Sequence, residues 1–442
     1  MPSAAQLLRL GVAALLAGAA CTSVSTVPEG LATGFVGDTG LRGDRSGGSA
    51  ACPRFDAATA RARAVGWSHP AVAALPTAAA ASLRVGLDLL RADAGDAAAY
   101  AVSPPAVLAP LVLLLAGADD PTRAELQSLL GVDLDATVLA DELVQASRSL
   151  AVADAPWSSS WAVGAFADAG LGVREDWAAA AAALLEGPVE APTPWTPPVV
   201  DRAVAAWEAG TPCAGASGLE VSEQTRLVLL ARWALSAPWA SPLVDEGVPP
   251  LAFQPDAGPS VQVEALRTPH TEPLRRAAVP GGVAIRRPLV GDLEVVWLLP
   301  DAGLTVRAFL GGLDAEAVAQ AVADAAPFDA LLVVPPSRVR STTDLVDAWG
   351  RQGVSSAFVA ETARFDRLTP IRGLHLDVAR HVVALELGAQ AVSAAATTVV
   401  TGAVPGSGDL PAEIVLVDRS HVWGVRDAAT GVWWSLSWVR QP

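Results

Sequence analysis

The chain has 442 residues and a net charge of −16, and every one of its basic residues is arginine. No basic stripe exists to neutralise phosphates, so a nucleic-acid partner is excluded and the acidity serves solubility. The length allows several domains, but no break in composition divides the chain after Ala57, which favours one large domain over 57–442.

The first residues predict a leader. Arg9 precedes the short apolar run Leu10 to Leu16, and Ala17-Gly18-Ala19-Ala20-Cys21 follows. The run is too short to span a membrane, and its small-residue end suits cleavage. A cysteine directly after the small residues resembles a bacterial lipobox, with Gly18 where leucine is usual. Residues 1–21 therefore read as a signal peptide, with lipidation of Cys21 and plain secretion both open. Residues 22–56, rich in Gly, Ser and Thr, read as a flexible tether. The expected location is extracellular or on the outer face of the membrane.

Helical signals dominate the first half. Pro76 to Arg91 is an amphipathic Ala/Leu helix. Asp120-Pro121 reads as N-cap and first-turn proline for a helix from Arg123 to Leu130, closed by Gly131. Glu175 to Glu186 is an alanine helix before Gly187, and Ala191 to Pro198 must be a loop. Strands come mainly later. Leu293 to Leu299 and Ala330 to Val334 are apolar runs ended by proline. Val382-Val383-Ala384-Leu385, Ile414 to Val417, Val422 to Val425 and Val432 to Leu436 are further strands. Asp427-Ala428-Ala429-Thr430-Gly431 is the turn of a terminal hairpin. Trp207, Trp233, Trp239, Trp297, Trp423, Trp433, Trp434 and Trp438 mostly lie on strands and read as core packing.

Between Glu386 and Asp409 the chain carries no charge at all. The segment is small and apolar at its start, β-branched in its middle, and Pro/Gly-rich at its end. An uncharged, β-prone segment is an aggregation hazard when exposed. It is also too long for an ordinary connection between strands. We therefore expect Leu387 to Asp409 to be exposed or weakly ordered because insertion into a sheet is its task, not to be a strand already in place.

Enzyme signatures are missing. Gly215-Ala216-Ser217-Gly218 lacks the spacing of a nucleophile elbow, and there is no phosphate loop or dinucleotide fingerprint. No Cys/His spacing suits zinc. His69, His270, His375, His381 and His421 are scattered and read as structural. Cys52 and Cys213 remain after processing; whether they pair is open. The chain is thus expected to have no catalytic residues of its own, no metal and no cofactor.

Five segments carry a family resemblance. Asp418-Arg419-Ser420-His421-Val422-Trp423-Gly424-Val425-Arg426-Asp427 with Thr430-Gly431 is similar, without a gap, to the ending of serpins. Leu374 to His381 resembles the serpin strand before the reactive loop, with its histidine. Thr225 to Trp239 is similar to a central-sheet motif, Val102-Ser103-Pro104 and Leu115-Ala116-Gly117-Ala118 resemble a helix start and end, and Asp344 to Phe358 resembles a late helix and its exit. The resemblance runs from about Ala57 to Pro442. It implies a mixed α/β (α+β) serpin fold, with helices packed on three β-sheets and an exposed reactive-centre loop. Departures fall at core and shutter positions: Ala99 and Ala231 for asparagines, Ala106 and Ala109 for serines, Ser420-His421 for a Pro-Phe pair, and Ser435 and Ser437 for Phe and Gly. They bear on how well the sheet opens.

The resemblance implies a trap. A serine protease would cut the loop, and the loop would insert as a new strand carrying the acylated protease with it. The hinge would be Ala391, Val392, Ser393, Ala394, Ala395, Ala396, Thr397 and Thr398. One frame puts Thr398 on the family's hinge threonine; the other puts Gly388 on its glycine and Glu386 on its glutamate. The first frame places the scissile bond near Pro405 and the second near Gly402–Ala403. Since most serine proteases cut poorly beside proline, Gly402, Ala403 and Val404 are the scissile candidates, for a protease with small-residue specificity. Trp239 and His381 are expected where the loop enters. The chain is expected to be a monomer. A serpin fold that is cleaved or binds a partner without trapping, and an unrelated surface lipoprotein, stay open.

Overall fold

Two kinds of segment build the molecule, and their apolar patterns decide their places. In the computed structural model, residues 56–65, 67, 72–92, 97–131, 136–152, 154–185, 187–210, 219, 221–394 and 413–442 are described. Gly48–Pro442 forms one unit. In chain order the elements are α1 (Ala57–Ala64), α2 (Pro76–Ala92), β1 (Ala99–Val102), α3 (Pro104–Gly117), α4 (Thr122–Leu130), α5 (Ala136–Leu150) and β2 (Ser158–Ala167). Next come α6 (Glu175–Leu185), α7 (Pro197–Gly210), β3 (Leu227–Pro238), β4 (Leu251–Phe253), β5 (Val261–Val263), β6 (Leu266–Arg267), β7 (Glu272–Val279), β8 (Gly282–Pro288) and β9 (Leu293–Pro300). The chain ends with α8 (Val306–Gly312), α9 (Ala315–Ala323), β10 (Ala326–Val334), β11 (Ser337–Asp344), α10 (Leu345–Arg351), β12 (Arg380–Leu387), β13 (Ala391–Ala394), β14 (Ile414–Leu416), β15 (His421–Asp427) and β16 (Trp433–Val439).

Helix α3 explains the centre. It holds no charged residue and is buried on nearly every face, so it must lie inside the protein. It packs against α2, α4, α5 and α6 and against β3 and β16. Around it lie a nine-stranded sheet, β1-β16-β15-β9-β8-β7-β10-β14 with β6 beside β10, and a five-stranded sheet, β11-β12-β13-β3-β2; β4 and β5 form a third. The terminal hairpin β15–β16 closes the large sheet, and Gly431 takes φ +85° in its turn. Gly424 is demanded by close approach, since a Cβ there would stand 2.2 Å from the Ser435 carbonyl oxygen.

The helix and strand readings hold with small shifts. Pro121 is the N-cap of α4 itself, not its first-turn residue. The segment Leu374–Ala379 runs without strand pairing, and the strand begins at Arg380. Trp297, Trp423, Trp433, Trp434 and Trp438 are fully buried, in line with core packing.

Candidate functional site

The five-stranded sheet has an unusual centre. Strand β13 pairs antiparallel with β3 on one side (Val392 opposite Ala237, Ala394 opposite Leu235). On the other side it pairs antiparallel with β12 (Val392 opposite Leu387, Ala394 opposite Leu385). So β3 and β12 run parallel to each other, and β13 is seated at one end of the space between them. Their outer edges are taken by β2 and β11. Among the described residues no ladder joins β3 to β12 directly. Beyond Ala394, the inner backbone edges from Ala234 back to Leu227 and from Ala384 back to Arg380 face the path that β13 has begun.

Alternation fixes which side chains face the core. Along β12, His381, Val383, Leu385 and Leu387 are buried, while Val382 is 43% exposed. Val392 shares the buried side, at 1% exposure.

The turn that feeds β13 is tied down at each carbonyl. Gly388 N–H donates to the Ala391 carbonyl (3.1 Å), closing the hairpin. The Gly388 carbonyl accepts from the Trp239 indole N–H (2.8 Å). The Ala389 carbonyl accepts from Leu243 N–H (2.8 Å), and the Gln390 carbonyl from Trp239 N–H (3.2 Å). Trp239 is itself immobilised. It is fully buried, lies 6.2 Å from Trp297 in a stacked pair, and has the Arg287 guanidinium 4.4 Å above its ring. Arg287 is held by Glu272 and by the Ser241 carbonyl (2.6 Å). A buried pair of this kind is weak evidence for net stability; here it holds a cation against the indole face.

Behind the other end, β1 fastens β11 and β12. Tyr100 Oη and Thr343 Oγ1 are 2.6 Å apart, Ala101 N–H donates to Ser341 Oγ (2.7 Å), and Ser103 N–H donates to His381 Nε2 (3.0 Å). Nε2 therefore carries no proton, and burial pushes the His381 pKa down to about 4. His421, buried between strands, is likewise pushed down to about 4 by burial, while its Nδ1–H donates to the Arg419 carbonyl (2.8 Å).

The model of the family Serpin (serine protease inhibitor) matches residues 80–442. The chain belongs to the serpin family. Among solved structures, human thyroxine-binding globulin complexed with thyroxine has a TM-score of 0.66 at 19% identity, over 83% of this chain and 98% of that one. Tengpin, a thermophilic serpin in its native state, has a TM-score of 0.67 at 15% identity, over 86% and 98%. The mouse protein Z-dependent protease inhibitor has a TM-score of 0.66 at 13% identity, over 83% and 98%. At these identities the likeness is one of fold. No curated protein matches the sequence.

The serpin's predicted site residues divide sharply. Trp239 sits under the turn that feeds β13, but His381 lies at the opposite end of β12, on its buried side against Ser103, so the two expected loop-entry residues do not share one site. Ala391, Val392, Ser393 and Ala394 are brought together as one strand. The expected exposure of Leu387 to Asp409 does not hold at its first end: Leu387 belongs to β12, and Ala391–Ala394 already lie in the sheet. The physical reason is that their uncharged alternation suits a slot between two parallel strands as well as it suits solvent. Ala395, Ala396, Thr397, Thr398, Gly402, Ala403 and Val404 lie outside the described residues, as do Cys21, Cys52 and Cys213. Among the described residues no group of three metal-ligating side chains is placed to hold an ion, and no helix is long and apolar enough to cross a membrane. Sequence reasoning missed Arg287 and Glu272, which pair across β7 and β8, and Arg61, whose partner Gln390 is distant in the chain.

Proposed function

We propose that this serpin is an extracytoplasmic inhibitor that traps a serine protease by cleavage and insertion of its reactive loop. The observation that carries the reading is β13: a strand seated between two parallel strands whose inner edges continue past it. If the registers of β13 are continued, Ala395 comes opposite Ala234 and Ala384, Ala396 opposite Trp233 and Val383, Thr397 opposite Arg232 and Val382, and Thr398 opposite Ala231 and His381. All of these loop residues are uncharged, so none would bring an unpaired charge into the sheet. The proposed scissile bond stays at Gly402, Ala403 or Val404, clear of Pro405, for a protease of small-residue specificity.

The second reading is a serpin that is cleaved or binds a partner without trapping. Its support is the shutter, where alanines stand at Ala231 and Ala99 for the family's asparagines, and where Tyr100 and Ala101 bond to Thr343 and Ser341 of β11 and Ser103, just after β1, bonds to His381 of β12. One experiment separates the two. The protein is incubated with serine proteases of small-residue specificity, then examined for an SDS-resistant complex and for thermal unfolding of the cleaved product. Trapping predicts a covalent complex and a midpoint raised by more than ~10 °C, since the new strand adds backbone hydrogen bonds on two edges. Cleavage with an unchanged midpoint and no complex supports the second reading.

Residues 1–21 are proposed as the leader, with the monomeric serpin tethered outside the cell through Cys21. Cys21→Ser should move the protein from the membrane fraction to the soluble one; an unchanged distribution would leave plain secretion.

A further inference from the structure

A strap crosses the hinge from outside the region that the serpin family model matches. Helix α1 precedes residue 80, where that match begins. It has eight residues, capped by Asp56, whose carboxylate accepts from Ala58 N–H (3.0 Å) and Thr59 Oγ–H (2.6 Å). A helix this short is not stable alone in water. Its own packing is slight: Ala60 is its one buried residue, and Val65 just beyond it is 85% exposed. Its order must come from what it docks on.

Three contacts are available. The helix lies against β3. Arg61 reaches the hinge turn, donating to the Gln390 side-chain carbonyl (Nη2 to Oε1, 2.9 Å) and to its backbone carbonyl (Nη1 to O, 3.4 Å). Past the helix, Trp67 meets Trp157 edge-on, with centroids 5.0 Å apart at 85°. Trp157 is a fixed anchor: it is buried, and its indole N–H donates to the Leu150 carbonyl (2.9 Å). The strap thus runs from an anchor beside β2, along β3, to the residue just before β13.

We infer that Asp56–Trp67 is an autoinhibitory strap that holds the hinge inside the sheet through Arg61 and Gln390, and so restrains the reactive loop. The inference rests on the hinge reading of Ala391–Ala394. Its logic is linkage: the strap docks on Gln390 where the in-sheet hinge places it, so strap docking and hinge insertion favour each other to the same degree. Every residue kept in β13 also shortens the presented loop by ~3.3 Å. Releasing the strap shifts the hinge outward, lengthens the loop and makes it a better protease substrate.

The test uses the full chain and needs no cognate protease. Hydrogen exchange is followed in peptides covering Gly388–Ala394 for wild type, Arg61→Ala, Gln390→Ala and the double variant. Loss of the Arg61 contact should speed exchange ~5–10-fold, the scale of one lost hydrogen bond. Cleavage within residues 395–412 by a broad-specificity protease should rise in parallel. The double variant should match the singles, because both remove one contact. Trp67→Ala, which frees the other end, should act in the same direction. Unchanged exchange in Arg61→Ala and Trp67→Ala, with wild-type circular dichroism, would overturn the strap. Faster exchange in a protein that never traps a protease would leave the strap standing and sink the inhibitory reading instead.

Discussion

Thr398→Arg is expected to leave cleavage of the loop intact and to reduce the yield of trapped protease by at least ~100-fold. The reason is parity. Val392 faces the buried side of the sheet, level with Leu387 and Ala237. Counting by twos, Ala394, Ala396 and Thr398 reach the same side when the strand extends, opposite Leu385, Val383 and His381 in turn. Those three are 3%, 7% and 6% exposed. An arginine at 398 would therefore be driven against a buried neutral histidine and Ala231, at a cost of several kcal/mol for an unpaired charge. Each 1.4 kcal/mol is tenfold in the balance between insertion and release. Thr397→Glu is the control. Its position faces the other way, opposite the partly exposed Val382 and beside Arg232, so a charge there should be tolerated. The measurement is the ratio of SDS-stable complex to cleaved serpin for each variant. Equal ratios for Thr398→Arg and wild type would show that the strand does not insert in the register that β13 begins.

The sequence made the serpin scaffold legible because the scaffold is local. Strands β9, β15 and β16 announce themselves as apolar runs between turn residues, and the Asp427–Gly431 turn needs a residue able to take positive φ. Trp239 was legible for a similar reason. It follows Pro238 at a strand end, and its resemblance to the tryptophan of other serpins placed it where the loop enters. The occupied slot was not legible. An uncharged Ala/Val/Ser run fits a sheet interior and an exposed bait equally well, and what decides is that β3 and β12, far apart in the chain, each offer it an inner edge. The strap was hidden further still. Arg61 and Gln390 are 329 residues apart and carry no local pattern. His421, which stands for a phenylalanine of the family, reads as a structural histidine at a core position. Its ring takes an edge-on place 6.2 Å from Phe253, so the shape is kept while a titratable group enters the core.

That titratable group, together with His381, gives acid a lever on stability. Both imidazoles are held near pKa 4 by burial, against 6.5 for a free histidine. Between these values the unfolded chain binds protons that the folded chain refuses, so stability falls as pH drops through 6.5 and levels off near 4. Each histidine contributes roughly 3 kcal/mol to that loss. Protonating His381 also turns its Nε2 from acceptor to donor, which breaks the bond from Ser103 N–H that ties β12 to β1. The urea midpoint should therefore fall steeply between pH 7.5 and 4.5 in wild type. His381→Gln, which retains an acceptor for Ser103, should remove about half of that slope, and adding His421→Gln most of the rest. Identical slopes in wild type and the double variant would show that carboxylates, not these histidines, set the acid limit. The location of the effect matters as well as its size. His381 lies opposite the position that Thr398 would reach if β13 were extended, so mild acid should loosen the sheet along the path proposed for the loop before it unfolds the rest.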